Sequence, residues 1–571
     1  MLVSNTYINS IEGVWDAMSQ GTMIDAHSPG KAGLIVGLSE EMGLVELFNK
    51  KLSSDRGRPE DIPNGVMAQM MMVNMCDDHH PLWRLDDYYA MKDLEGLFHY
   101  PIRHEQINDD RFGHFLDRLQ EAGPREIFSR LAANAFLRYD IQVQHINYDT
   151  TSKVMWGTYE TEDGKLGEIE IDFGHSKQKR PDKKQIKLGI GTAEGIVVDG
   201  QVLSGNKDDK TWNNENLELV EDVLSSLHIN KDTFCYIADS ALFSEENLKK
   251  AAQKGITLIT RMPDNVTEAK ELLQLAVEAF DTLEPLTLTN AKDQVVPYRV
   301  RSEIIQYKGY PLACGICYSA SMKEQKEKSQ QKKIAKEGEE LAKKLNPFQK
   351  RTFACEEDAR LEIQKLSKDI QKLKFHQVQF DIKEVPKRKA GRPAKDAVPQ
   401  WAYQLVPHIT EDEKAITSHL IRECTFILAS NRTDFSATQL LQEYKTQSQT
   451  EKKFQQLKSP HFVNAMFLDS PKRIEAFAYL MLMVILLLSV AEYIVRREMK
   501  KTGEKIVGLG KREVSNPTLF AIYTIFYSVR VNLYEHNGRI ERRLARPLFD
   551  NVKTVLKHLG IPEDTFTRGA G

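Results

Sequence analysis

Two runs of β-forming residues, each closing on an aspartate, constrain this chain most. Val143-Gln-His-Ile-Asn-Tyr148-Asp149 reads as a strand that ends at Asp149, before the polar turn Thr150-Thr151-Ser152. Thr233-Phe-Cys-Tyr-Ile-Ala238-Asp239 repeats the pattern before Ser240 and a helix. Carboxylates at the ends of neighbouring strands point into one crevice, so the pair predicts an α/β sheet with an acidic cleft. Either aspartate alone is more simply a turn former or a helix cap.

A third carboxylate decides between these readings. Tyr444-Lys-Thr-Gln447-Ser-Gln-Thr-Glu451-Lys-Lys-Phe-Gln-Gln-Leu-Lys458 follows the apolar run Thr425-Phe-Ile-Leu-Ala-Ser430 and reads as a helix. At about 100° per residue, Tyr444, Gln447, Glu451 and Lys458 fall within an arc of about 60°. That face presents one carboxylate beside an aromatic hydroxyl and a cation. Two strand-end aspartates and a helix-borne glutamate make an oxygen cage for Mg²⁺, with neighbours suited to phosphate. The alternative is an ordinary solvated helix face.

With these residues in view, the chain resembles bacterial and archaeal insertion-sequence transposases of the DDE class, which have a ribonuclease H-like core. Within that class it is similar to the group defined by a Tyr, Arg, Glu, Lys helix with two, three and six intervening residues. Tyr444, Glu451 and Lys458 match; Gln447 stands where the group has arginine. The resemblance also covers His145 to Asp149, Gly174-His175-Ser-Lys177-Gln-Lys-Arg180-Pro181-Asp182-Lys-Lys184-Gln185, Gly205-Asn206-Lys-Asp-Asp209 and Ala238-Asp239-Ser240.

The resemblance implies a cut-and-paste transposase. Asp149, Asp239 and Glu451 would hold two Mg²⁺ ions about 4 Å apart, with Mn²⁺ as a substitute, for strand cleavage and for strand transfer by the freed 3′-OH. Hairpin ends are implied as an intermediate. Tyr444 and Lys458 would hold the phosphates of the transposon end, and Gln447 would do so without a charge. The implied partners are double-stranded DNA, both terminal inverted repeats and target, and a second copy of the chain in a homodimer. Two other readings are a transposase-derived DNA-binding protein that no longer cleaves, and a ribonuclease H-like nuclease acting on branched DNA or RNA hybrids.

The 571 residues are too many for one core, and 41% hydrophobic content suffices for several domains. Charged residues make up 28%, yet the net charge is −3, so cations for DNA must be gathered locally. Two segments gather them. One runs from Lys177 to Lys187 and makes His175, Lys177, Arg180, Lys184 and Lys187 candidate DNA contacts. The other, Lys387-Arg388-Lys-Ala-Gly391-Arg392-Pro393-Ala-Lys395, resembles an AT-hook, whose Gly-Arg-Pro core follows a narrow minor groove. Arg388, Arg392 and Lys395 would make those contacts, and Trp401 just beyond them would stack on an extruded base or else sit in a core. A solvated loop is the alternative for both basic segments.

Six cysteines in a chain this long make no disulfide framework, and no basic region followed by an apolar one opens the sequence. The expected location is therefore a reducing cytoplasm, which the resemblance implies is prokaryotic, in association with the nucleoid. Cys314 and Cys317 lie in an apolar β segment, where an offset of three separates the thiols to opposite faces. Asp77-Asp78-His79-His80, before Pro81, reads as an interhelical turn. The apolar run Ala476 to Ala491 is shorter than a membrane span and reads as a buried core helix; no membrane partner is expected.

The chain divides into five parts on this reading. Residues 1–140 form a helical domain for DNA-end binding or dimerisation, and 141–262 the first part of the catalytic core. Residues 263–424 form an insertion with a β-rich part, a charged helix from Met322 to Leu345 and the hook; that helix reads as a solvated spacer or arm. Residues 425–500 complete the core, and 501–571 form a helical C-terminal region.

Overall fold

The computed structural model describes residues 22–53, 61–77, 79–159, 169–289, 294–387, 400–459, 462–463, 466–508 and 511–570. They form two compact units, one from Met1–Leu258 with Glu443–Gly571 and the other from Ile259–Gln442.

The first unit carries a mixed sheet. Its strands are β1 (His145–Val154), β2 (Gln185–Ala193), β3 (Ile196–Ser204) and β4 (Cys235–Ala238). β1, β2 and β3 form an antiparallel meander, and β4 returns through helix α1 (Asp209–Ser226) to lie parallel to β1 on its other side. The order β3-β2-β1-β4 is that of a ribonuclease H-like sheet. Helix α2 (Glu245–Lys254) follows, with the Ser244 hydroxyl accepting from the Asn247 amide as its N-cap.

β2 is buried along its whole length, as a strand covered on both faces must be. One cover includes α1, whose Trp212 indole donates to Gln201 and meets Tyr148 edge-on. Helix α3 (Ser448–Leu457) and helix α4 (Pro471–Thr502) complete the unit's core. α4 is long and apolar enough to cross a membrane by composition alone, but 94% of its apolar window is buried within the protein, against β3 and the helices Asp109–Glu121 and Pro124–Tyr139. It is the expected core helix, extended at both ends beyond residues 476–491.

The N-terminal residues fold chiefly as helices, among them Gly30–Glu41, the wholly buried Asn64–Cys76 and the two that pack on α4. Asp77 closes Asn64–Cys76 and accepts from Tyr88 and Lys92, so it serves a turn. Beyond α4 the helices Leu519–Phe526 and Asp550–Leu559 are joined by a β-hairpin, Val531–His536 with Arg539–Leu544, which pairs with Thr22–His27.

The second unit holds an antiparallel ladder of residues 259–261, Thr425–Ser430, Tyr310–Ser319, Val295–Tyr307 and Glu284–Thr289. Cys314 and Cys317 are buried thiols in it, and burial pushes the Cys314 pKa up to about 12. A smaller sheet pairs His376–Pro386 with Trp401–Glu411. The charged helix Lys323–Leu345 is no free arm. Ile334, Leu341 and Leu345 share one stripe and are buried; Leu341 and Leu345 cluster with Leu366. Glu337 further ties the helix down by accepting from the Lys374 and Phe375 amides.

Candidate active site

Parallel pairing brings the two aspartates together. β1 and β4 match His145 with Cys235, and so on to Tyr148 with Ala238. Asp149 and Asp239 are the next positions in that register. Neighbouring strands lie about 4.8 Å apart and residues in register point to the same face, so the carboxylates emerge side by side.

The two aspartates end their strands differently. Asp239 follows the last residue of β4 and caps a short turn, accepting from the Ala241 amide at 3.0 Å. β1 does not end at Asp149. Thr150, Thr151 and Ser152 continue it, paired with Gly189, Leu188 and Lys187, and the expected polar turn is a buried strand. The antiparallel partner β2 runs on where β4 stops, and β-branched threonines suit that pairing.

Lys177 covers Asp149. Its ammonium lies 3.0 Å from Asp149 Oδ1, 3.2 Å from Asp209 Oδ2 and 2.8 Å from the Thr150 carbonyl. Burial raises the Asp149 pKa; the Lys177 charge opposes this and the neighbouring Asp239 adds to it. Burial works against the charge of Lys177 too, but Asp149 and Asp209 more than compensate and raise its pKa. Asp209, at the start of α1, also accepts from Lys187 at 3.0 Å and from the Thr150 hydroxyl at 2.8 Å.

The stretch from Gly174 to Gln185 positions that lysine. Gln185 Nε2 donates to the carbonyls of Gly205, at 2.9 Å, and His175, at 3.4 Å. A Cβ on Gly174 would lie 2.2 Å from the Gly205 carbonyl oxygen, and one on Gly205 would lie 2.1 Å from that of Gln185. Only glycine at both positions lets the two backbones close on β2.

α3 lies over the face that bears Asp149. Side chains alternate along β1, so Asn147 shares the face of Asp149, and Thr192 is the β2 partner of Asn147. The Thr446 hydroxyl lies 3.0 Å from Asn147 Oδ1, and the Thr450 hydroxyl bonds that of Thr192. Lys453 anchors the same helix to α4 through Glu492 at 2.8 Å. Glu451 sits in the first turn of α3, exposed to solvent.

The helix expected from Tyr444 to Lys458 is interrupted. One helix ends at Lys445 and α3 begins at Ser448, with Gln447 between them as its N-cap residue. Across the junction the amides of Thr446, Gln447, Gln449 and Thr450 bond three residues back. The Thr446 hydroxyl lies 2.6 Å from the Glu443 carbonyl oxygen and competes for it with the backbone ladder. Tyr444 and Glu451 therefore belong to different helices, joined by a tighter turn. Lys458 closes α3 near the acidic pair. Burial lowers its pKa, Lys177 adds to the effect and Asp149 opposes it.

The remaining candidates scatter. His175 is exposed, Arg180 is paired with Asp182 at 2.7 Å, and Lys184 donates to the Tyr159 carbonyl. Lys187 is buried on Asp209. Of the candidates between Lys177 and Lys187, Lys177, Arg180 and Lys187 already have carboxylate partners within the chain. Trp401 lies in the second unit and is 52% exposed, so it is no core residue. Arg388, Arg392 and Lys395 lie outside the described residues.

A family model described as the transposase DDE domain matches residues 170–487. The chain belongs to the DDE transposase family. The match takes in Asp239 and Glu451 and begins after Asp149. A second model, a domain of unknown function (DUF4277), matches residues 24–133. No curated protein matches the sequence. Among solved structures, the piggyBac transposase synaptic complex with hairpin DNA is similar at 11% identity, with 87% of this chain and 79% of that one covered and a TM-score of 0.37. The Mos1 transposase paired-end complex with the left transposon end is similar at 9% identity, with 40% and 67% covered and a TM-score of 0.15.

Two adjacent carboxylates, one already holding a cation, suit a hard divalent ion with oxygen ligands. Glu451 is not gathered with them: among the described residues no three His, Cys, Asp or Glu side chains stand together as a metal cage.

Proposed function

We propose that this transposase cleaves the ends of its own element and joins them to target DNA at a site built on Asp149, Asp239 and Glu451. The observation that carries the reading is the β1–β4 register, which sets Asp149 beside Asp239 on the face that α3 covers. Asp149 and Asp239 would hold Mg²⁺, and Glu451 would join them by turning its exposed side chain inward. Divalent ions held there would lower the pKa of an attacking water and stabilise a leaving 3′ oxygen.

The rest of the work falls to the chain. Lys458, beside Asp149, offers a point charge to a phosphate of the transposon end, and Tyr444 a phenolic donor. Gln447 supplies only a neutral amide, so another cation takes over the arginine's task. The freed 3′-OH then attacks the opposite strand to form a hairpin, which is reopened before strand transfer. The helical N-terminal residues contact the transposon end, and two copies act on paired ends in a prokaryotic cytoplasm.

Linear DNA carrying the element's inverted repeats tests this. With Mg²⁺, a denaturing gel should resolve end nicks, hairpins and products joined to a target plasmid. Cleavage independent of the repeats, with no joining, would make the protein a nuclease of the same fold; end binding without cleavage would make it a DNA-binding relic.

A further inference from the structure

We propose that Lys177 is an internal counter-ion that holds the cation position at Asp149 until a divalent ion displaces it, and that Asp209 is the carboxylate onto which it retracts. The proposal rests on the metal-binding reading of Asp149 given above.

An ammonium group has three hydrogens to donate, and Lys177 has three acceptors within reach: Asp149, Asp209 and the Thr150 carbonyl. The group is thus seated as a ligand would be. Asp149 needs it, because a half-buried carboxylate next to Asp239 gains from any cation placed between it and solvent. A divalent ion arriving at Asp149 would meet the positive charge of Lys177, and the two cannot share one carboxylate edge.

Asp209 gives the displaced lysine somewhere to go. Its charge does not depend on Lys177 alone, because Lys187 is 4% exposed and rests on it at 3.0 Å while Thr150 donates to the same oxygen. The second oxygen of Asp209 already faces Lys177 at 3.2 Å. A small movement keeps one ion pair and frees Asp149. The lysine then stays beside the acidic pair, where a DNA phosphate can take the place of Asp149 as its partner. Metal affinity in the absence of DNA is set by this competition.

The test is Mn²⁺ binding by calorimetry to the full-length, DNA-free protein at constant ionic strength. Lys177→Met should tighten binding about two- to fivefold, the scale of one partly exposed ion pair, while Lys177→Arg should not tighten it. Asp209→Asn should weaken binding severalfold in the wild type and have no effect in the Lys177→Met background, because no lysine remains to retract. If Asp209→Asn does not fold, the cycle is run with Lys187→Met, which removes the buried charge that Asp209 neutralises. Equal effects of Asp209→Asn in both backgrounds would mean simple field effects and overturn the proposal. Unchanged affinity in Lys177→Met, with binding abolished by Asp149→Asn, would overturn it and leave the metal site standing. No binding in either the wild type or Lys177→Met would remove both.

Discussion

The hydroxyls of Thr192 on β2 and Thr450 on α3 share a buried hydrogen bond, one residue before Glu451. Through it the sheet that carries the acidic pair sets the height and rotation of the helix that carries the third carboxylate.

Thr450→Val keeps the shape of the side chain and leaves the Thr192 hydroxyl buried without its partner. Each single valine should destabilise the protein by about 1–2 kcal/mol, and the double variant should cost less than the sum. Urea unfolding measures this. Strict additivity would mean that the two hydroxyls do not depend on one another.

Lys153 predicts a pH signature. It shares the face of Asp149, is 5% exposed and donates to the Val463 carbonyl; burial lowers its pKa to about 8. The folded value lies below the unfolded one, so the unfolded chain binds more protons between about pH 8 and 10.5. This group's contribution to stability is therefore lowest below pH 8 and rises across that window. Lys153→Met should stabilise the protein by about 1–2 kcal/mol at pH 7, with the gain fading toward pH 10. A gain independent of pH would contradict a buried charge.

Gly205→Ala tests the seat of Lys177. The new Cβ would lie 2.1 Å from the Gln185 carbonyl oxygen and 2.5 Å from that of Asp172, both backbone atoms that cannot swing away. A loss of about 2–4 kcal/mol is expected, with faster hydrogen exchange from Gly174 to Gln185. Unchanged exchange in that stretch would show that the close approach does not hold it.

Much of the site was legible in the sequence because its signals are local. The β-rich runs before Asp149 and Asp239 and the apolar core of α4 all appear where the pattern places them. Missed features depend on partners distant in the chain. Thr150 to Ser152 looked like a turn because their partners Lys187 to Gly189 cannot be seen from residue 150. At the break the Thr446 hydroxyl also lies against Asn147, 299 residues away. Asp209 carries one local signal, an acidic residue opening a helix, and its ties to Lys177 and Lys187 are tertiary. In the helix expected from Met322 to Leu345 as a solvated spacer or arm, charges outnumber the sparse stripe of Ile334, Leu341 and Leu345 that buries it.

Gln447, at the junction of two helices, should be a weaker contributor than Lys458. Gln447→Ala should reduce hairpin formation less than Lys458→Ala, since Lys458 carries a charge beside the acidic pair. Gln447→Arg should be neutral or mildly inhibitory if another cation already serves the phosphate. A large gain in hairpin yield for Gln447→Arg would show a native site short of a cation.

The central claim is that Asp149, Asp239 and Glu451 act as one metal-binding unit, and single-turnover cleavage of end DNA by their neutral variants tests it most directly. Asp149→Asn, Asp239→Asn and Glu451→Gln should each lower the cleavage rate by at least about a hundredfold while leaving end binding intact, and the triple variant should lose little more than any single one. Near wild-type cleavage by Glu451→Gln, or losses that multiply across the three, would contradict the claim.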